Sequence, residues 1–152
     1  MSLEEIFKLE RTGDFSGMLH GILDESGRLR EGFREDPNSA WYSAGVAAHR
    51  LGDLRLAIRF FRKAFSADES DFGSLLAIAN CHSELGNPRW ALHYLEKAAG
   101  LAPKDWKVRY NTANALYDLK RFDDARRMYR AIAKKAPPEI SELAMRNLAL
   151  WD

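Results

Sequence analysis

Between Leu54 and Ala64 the chain alternates apolar and basic residues with a helical period, Leu54, Ala57, Ile58, Phe61 and Ala64 on one face and Arg55, Arg59, Arg62 and Lys63 on the other. A Leu51-Gly52-Asp53 turn runs straight into it. The same phrase returns 34 residues later as Leu85-Gly86-Asn87 before Pro88–Ala98, and after a further 34 as Leu119-Lys120-Arg121 before Phe122–Ile132. Each phrase closes one segment and opens an amphipathic one, so each 34-residue unit is read as two helices in succession. The first helices are expected near 39–51, 73–85 and 107–119, the second near 54–67, 88–101 and 122–135. Pro88 suits a first helical turn, where its missing N–H costs nothing.

The ends are less regular. Leu3, Ile6, Phe7 and Leu9 give residues 2–11 an apolar face, and Ser2 with Glu5 has the spacing of a capping box. Phe15, Leu19, Ile22, Ser26, Leu29 and Phe33 then alternate spacings of four and three, which predicts one long helix over 15–35. Gly17, Gly21, Gly27 and Gly32 weaken that helix by up to about 1 kcal/mol each, and a break near Gly27 would leave two short helices instead. Asp36-Pro37 closes this first unit. At the other end Pro137-Pro138 stops the last paired helix. Leu143, Ala144, Leu148 and Trp151 then share a face of a segment expected to cover the open end of the array.

A fixed period in this range marks a repeat architecture. The residues at fixed places resemble the tetratricopeptide repeat (TPR) pattern: Trp41, Ala44, Gly45 and Ala48 with Ala57 and Phe61 in copy 38–71; Leu75, Ile78, Ala79 and His82 with Ala91, Leu95 and Pro103 in copy 72–105; Arg109, Thr112, Ala113 and Leu116 with Ala125, Tyr129 and Pro137 in copy 106–139. Glu69 and Arg109 depart from the pattern, standing where Pro and Trp are usual. Gly45, Ala79, Ala113, Ala57, Ala91 and Ala125 are all small, as helices crossing at about 8–10 Å require. The resemblance implies an all-α, right-handed superhelical solenoid of antiparallel helix pairs. It is expected to form one domain over 1–152: an irregular unit over 1–37, three repeats, and a capping helix over 140–152.

Composition narrows the function classes. The chain has 152 residues, 46% hydrophobic and 30% charged, as in an ordinary globular domain. A formal net charge of +1 makes no electrostatic case for nucleic acid or a membrane surface. Cys81 is the single cysteine, so no disulfide framework or paired-cysteine metal site exists, and a small buried hydrophobe is the expected role. No apolar run approaches the roughly 18 residues that span a bilayer, and the start is not a signal peptide, so the expected location is cytoplasmic. Two histidines on adjacent first helices, His49 and His82, make a poor metal site without a third ligand, and His20 and His93 have no matching partners. No cofactor or metal is expected. The basic faces built by Arg55, Arg59, Arg62 and Lys63 and by Arg126, Arg127, Arg130, Lys134 and Lys135 are expected to be solvated. No phosphate loop, dinucleotide fingerprint or nucleophile elbow is present, and the chain is expected not to be an enzyme.

In the family the first helix of each pair lines a concave groove. Its groove positions correspond here to Ser39, Tyr42, Ser43, Val46, His49 and Arg50, then Gly73, Leu76, Ala77, Asn80, Ser83 and Glu84, then Lys107, Tyr110, Asn111, Asn114, Tyr117 and Asp118. From these the resemblance implies a partner-binding set of Tyr42, His49, Asn80, Ser83, Lys107, Tyr110, Asn111, Asn114 and Tyr117. Asn80, Asn111 and Asn114 have poor helix propensity, and an amide that both donates and accepts suits a peptide backbone. The expected function is therefore a non-catalytic interaction module or scaffold that holds a peptide or helix of a partner. A chaperone-type carboxylate clamp is not expected: Tyr42, Val46, Ala77, Lys107 and Asn111 occupy its positions, and only Lys107 fits. The alternatives are self-association into a homo-oligomer, through Trp151 or the irregular N-terminal unit, and service as the regulatory arm of a larger protein. Helical-repeat RNA binding is a third, disfavoured by the neutral groove.

Overall fold

The computed structural model describes residues 1–151, and among them nine α-helices follow one another: α1 (Leu3–Thr12), α2 (Phe15–Ile22), α3 (Pro37–Arg50), α4 (Leu54–Ala67), α5 (Phe72–Glu84), α6 (Pro88–Leu101), α7 (Trp106–Asp118), α8 (Phe122–Lys135) and α9 (Pro138–Ala149). The second helices of the three repeats have the bounds the periodicity gives, and the first helices begin one or two residues early. Ser2 and Glu5 close a reciprocal capping box on α1: the Glu5 N–H donates to Ser2 Oγ at 3.3 Å and the Ser2 N–H to Glu5 Oε2 at 2.6 Å. Asp36, Asp53 and Asp105 accept from N–H groups three residues on, at 3.2, 3.1 and 3.0 Å, and so start α3, α4 and α7.

The expected long helix over 15–35 does not form. It stops at Ile22, and Leu23 turns to extended backbone. Asp24 Oδ1 gathers three donors, the Ser26 N–H, the Ser26 hydroxyl and the Arg28 N–H, at 2.6–3.0 Å. This local alternative competes with helix for those groups. Gly27 adopts φ 79, which a residue with a Cβ takes only at a cost. Leu23 and Leu29 then pair across the turn as an isolated antiparallel bridge, and a 3₁₀ turn over Glu31–Phe33 follows. Leu29 and Phe33 are nevertheless buried, so the apolar stripe reaches the core from the bridged turn and the 3₁₀ turn after it rather than from one long helix.

The chain divides into two compact units, one ending at Cys81 and the other beginning at His82, within α5. In the first, α1 packs on α2 and α3, α2 on α3, and α3 on α4. The buried face of α3 is Ala40, Ser43, Ala44, Gly45, Ala47 and Ala48. Such a face carries little volume of its own, so Phe60 and Phe61 of α4 fill the space it leaves, each burial contributing about 1.5–3 kcal/mol. Trp41 stacks on Phe60 at 5.5 Å, and the Lys63 ammonium lies 4.4 Å from the Trp41 ring centre. Within α1, Ile6 is fully buried whereas Phe7, expected on the same face, is 49% exposed.

In the second unit α7 packs on α6 and α8, and α9 on both α7 and α8. Its core joins Ala113, Leu116, Ala125, Tyr129, Ile132 and Ala144. Ser141 ties α9 to α8 by donating its hydroxyl to the Ala133 carbonyl at 2.7 Å. Ala144, Leu148 and Trp151 meet this core as expected of a capping helix, with Ile140 in place of Leu143, which points outward. All six small helix-crossing residues are buried, and so is Cys81.

Candidate functional site

The first unit contains a cleft of about 620 Å³. One wall is α3, which contributes Asn38, Ser39, Tyr42 and Ser43; α1 adds Phe7. The rest of the lining is the α4–α5 turn and the start of α5, with Asp68, Ser70, Asp71, Phe72 and Gly73. Ser39, Tyr42, Ser43 and Gly73 are groove positions of the repeat pattern. Phe7, Asn38, Asp68, Ser70, Asp71 and Phe72 escaped the sequence reading. The turn residues carried one signal: Asp68-x-Ser70 and Asp71-x-x-Ser74 both have the spacing by which an aspartate caps its own turn.

Hydrogen bonds hold these walls. Asn38 Nδ2 donates both to the Ala64 carbonyl at 2.9 Å and to Asp71 Oδ2 at 2.9 Å, tying the start of α3 to the last turns of α4 and to the entry of α5. Asp71 also accepts from the Ser74 hydroxyl at 2.6 Å and the Ser74 N–H at 3.2 Å. Asp68 accepts from the Ser70 hydroxyl at 2.6 Å and the Ser70 N–H at 3.0 Å. These two bonds, the hydroxyl first, hold the Asp68 carboxyl below its ordinary range. Tyr42 leans on Phe61 with ring centres 5.3 Å apart and keeps 37% of its surface exposed. Partial burial, then the negative charges of Asp71 and Glu10, push its hydroxyl up from the usual phenol range.

The other residues expected in a groove divide between the units. With Tyr42, His49 (half-buried) and Asn80 (exposed) belong to the first; Ser83, Lys107, Tyr110, Asn111, Asn114 and Tyr117 belong to the second. Ser83 and Lys107 are exposed, Asn111 is half-buried, and Tyr117 is 41% exposed. The structure brings Tyr110, Asn114 and Tyr117 together around the end of α9. Asn147 Nδ2 donates to the Tyr110 hydroxyl at 3.1 Å, Tyr129 donates its hydroxyl to Asn114 Oδ1, and Trp151 stacks on Tyr117 at 5.3 Å and meets Tyr129 edge-on at 5.7 Å. Burial pushes the Tyr129 hydroxyl up to about 12. Trp151, expected as an exposed docking residue, is half-buried against its own unit's tyrosines, with the Arg126 guanidinium 5.1 Å from its ring.

Elsewhere Arg109, standing where the repeat pattern has Trp, donates through Nη2 to the Pro103 carbonyl at 2.9 Å and lies 4.6 Å from the Trp106 ring. It thereby braces the turn that enters α7. The basic face of α8 is partly compensated: Asp124 accepts from Arg121 and Arg127, which hold its carboxyl below the ordinary range. Among the described residues no three His, Cys, Asp or Glu side chains are grouped to hold a metal ion, and no helix is long and apolar enough to cross a membrane.

Comparison with known proteins places the chain's fold in a family. Residues 29–132 match the family model described as anaphase-promoting complex, cyclosome, subunit 3, a model of TPR-type repeats. No curated protein matches the chain. Among solved structures, the chain is similar to YrrB, described as a TPR protein with an unusual peptide-binding site, at 20% identity and a TM-score of 0.68, over 87% of this chain and 66% of that one. It is similar to the N-terminal domain of stress-induced protein-1 (STI-1) from C. elegans at 20% identity and a TM-score of 0.62, over 73% of this chain and 94% of that one. It is also similar to MamA MSR-1, at 17% identity and a TM-score of 0.63, over 84% and 70% of the two chains. At these identities the structures establish the shared fold. With the family model covering well over half its length, the chain belongs to the family of TPR-type repeats that this model describes.

Proposed function

We propose that this protein is a non-catalytic interaction module whose first unit holds an extended peptide segment of a partner in the cleft beside Tyr42. The observation that carries this reading is the cleft itself. A space of about 620 Å³ is bordered by two partly exposed aromatic rings, Phe7 and Tyr42, and by polar groups already fixed by hydrogen bonds. Apolar surface with a few convergent polar groups is the usual make-up of a ligand site, and pre-ordered walls lower the entropy lost on binding. The peptide-binding site of YrrB, which shares the fold, lends support. The remaining groove positions, His49 and Asn80 in the first unit and Ser83, Lys107, Tyr110, Asn111, Asn114 and Tyr117 in the second, are proposed as further contacts within their own units.

The test is selection of a random decapeptide display library on the immobilised chain, followed by fluorescence-anisotropy titration of the recovered peptides. Ser39→Trp places a bulky side chain in the cleft, and Phe7→Ala removes an exposed ring. Binding to wild type that Ser39→Trp abolishes and Phe7→Ala weakens is the expected result. Peptides that bind all three chains equally would move the site away from the cleft.

A further inference from the structure

Granting that the cleft beside Tyr42 is a peptide site, its charge specifies what kind of peptide. We propose that it receives a basic side chain, arginine or lysine, of an extended segment. Asp68 and Asp71 stand in its wall, and none of the residues lining it is Lys, Arg or His. The carboxylates are held in place before any ligand arrives, Asp68 by Ser70 and Asp71 by Asn38 and Ser74. A carboxylate oxygen accepts more than one hydrogen bond, so these contacts leave acceptor capacity for a cation.

The helices flanking that wall add to the same sign. α4 ends at Ala67, immediately before Asp68, and its last turn carries no basic residue to offset the negative end of its dipole. The positive end of α5 is already met by Asp71, which accepts from the Ser74 N–H. The aromatic rings suit a guanidinium or ammonium as well, because a cation is attracted to a ring face. An acidic peptide would instead bring a like charge against two fixed carboxylates.

The decapeptides recovered on the wild-type chain provide the probe. They are titrated against wild type, Asp68→Asn and Asp68→Lys in low and high salt. Asp68 lies in the turn outside the helices, and Asp68→Asn keeps an oxygen for the Ser70 bonds, so both folds are checked by circular dichroism and the isosteric variant stands in should the charge reversal unfold. The expected result is enrichment of arginine or lysine in the peptides, affinity lowered several-fold by Asp68→Asn and about tenfold or more by Asp68→Lys, and weaker binding at high salt. Peptides without a basic residue that lose binding to Ser39→Trp but not to Asp68→Lys would overturn the basic-ligand inference and leave the cleft standing. Peptides that ignore Ser39→Trp would overturn the cleft, and this inference with it.

Discussion

The Tyr129 hydroxyl, on α8, donates to the side-chain oxygen of Asn114, on α7. Asn114 occupies a groove position of its repeat, yet its amide oxygen is committed to the partner helix. Tyr129 is buried, and its hydroxyl needs an acceptor. Asn114→Ala removes that acceptor and is expected to destabilise the chain by about 1–3 kcal/mol, the usual cost of stranding a buried polar group. Tyr129→Phe, which removes the hydroxyl and so strands no donor, serves as the comparison. Urea unfolding of both variants checks this, and an unchanged midpoint for Asn114→Ala would show that the tyrosine finds another partner.

The same hydroxyl gives a pH signature. Burial raises its pKa to about 12 in the folded chain, above the phenol value of roughly 10 in an unfolded one. A folded pKa above the unfolded value means that the native state holds its proton longer. The stabilisation is complete below about pH 10 and is lost as pH rises through about 12. Stability of the wild type relative to Tyr129→Phe is therefore expected to be flat at neutral pH and to fall between pH 10 and 12. Urea midpoints measured in parallel on the two chains test this; a difference independent of pH across that window would contradict it.

The repeat core was legible in the sequence because it rests on strictly spaced small residues and on one turn phrase said three times. Ala57, Ala91 and Ala125 recur at fixed distance and are all fully buried. The N-terminal unit was not legible by the same means. Phe15, Leu19, Ile22, Leu29 and Phe33 are spaced as on a helix, and hydrophobic period cannot see that Asp24 and Gly27 offer the backbone a better local turn. The candidate cleft was half legible. Its α3 side follows from groove positions, but Phe7 arrives from outside the repeats. Asn38 and Asp71 matter through a contact across 33 residues that no local pattern announces.

Close helix approach at Gly45 is the next expectation to test. A Cβ built on Gly45 would fall 2.6 Å from two ring carbons of Phe61, which no side-chain rotation of an alanine could relieve. Phe61 is itself 3% exposed and packed against Tyr42, so it has little room to retreat. Gly45→Ala gains helix propensity of about 1 kcal/mol but overpacks this contact at about 1–3 kcal/mol. A net loss of stability is expected, and it should be relieved in the double variant with Phe61→Leu. A double-mutant cycle by thermal melts measures the coupling; additive effects would mean that the ring moves freely.

The turn between the paired helices carries a residue that its position disfavours. Gly52 and Gly86 adopt φ 85 and 76 at the ends of the first helices of two repeats, and the third repeat places Lys120 there with φ 61. The backbone demand is the same in all three: the N–H of this residue donates to the carbonyl three residues back, from Gly52 to His49, Gly86 to Ser83 and Lys120 to Tyr117. A side chain with a Cβ in this left-handed region costs roughly 1–2 kcal/mol. Glycine removes that cost but restores freedom to the unfolded chain worth roughly 0.5–1 kcal/mol. Lys120→Gly is therefore expected to stabilise the chain by about 0.5–1 kcal/mol, and Lys120→Ala, which keeps the Cβ, to do nothing comparable. Lys120 is exposed, so a rise in melting temperature for glycine alone isolates backbone strain as the cause. An equal rise for both variants would assign the effect to the lysine charge instead.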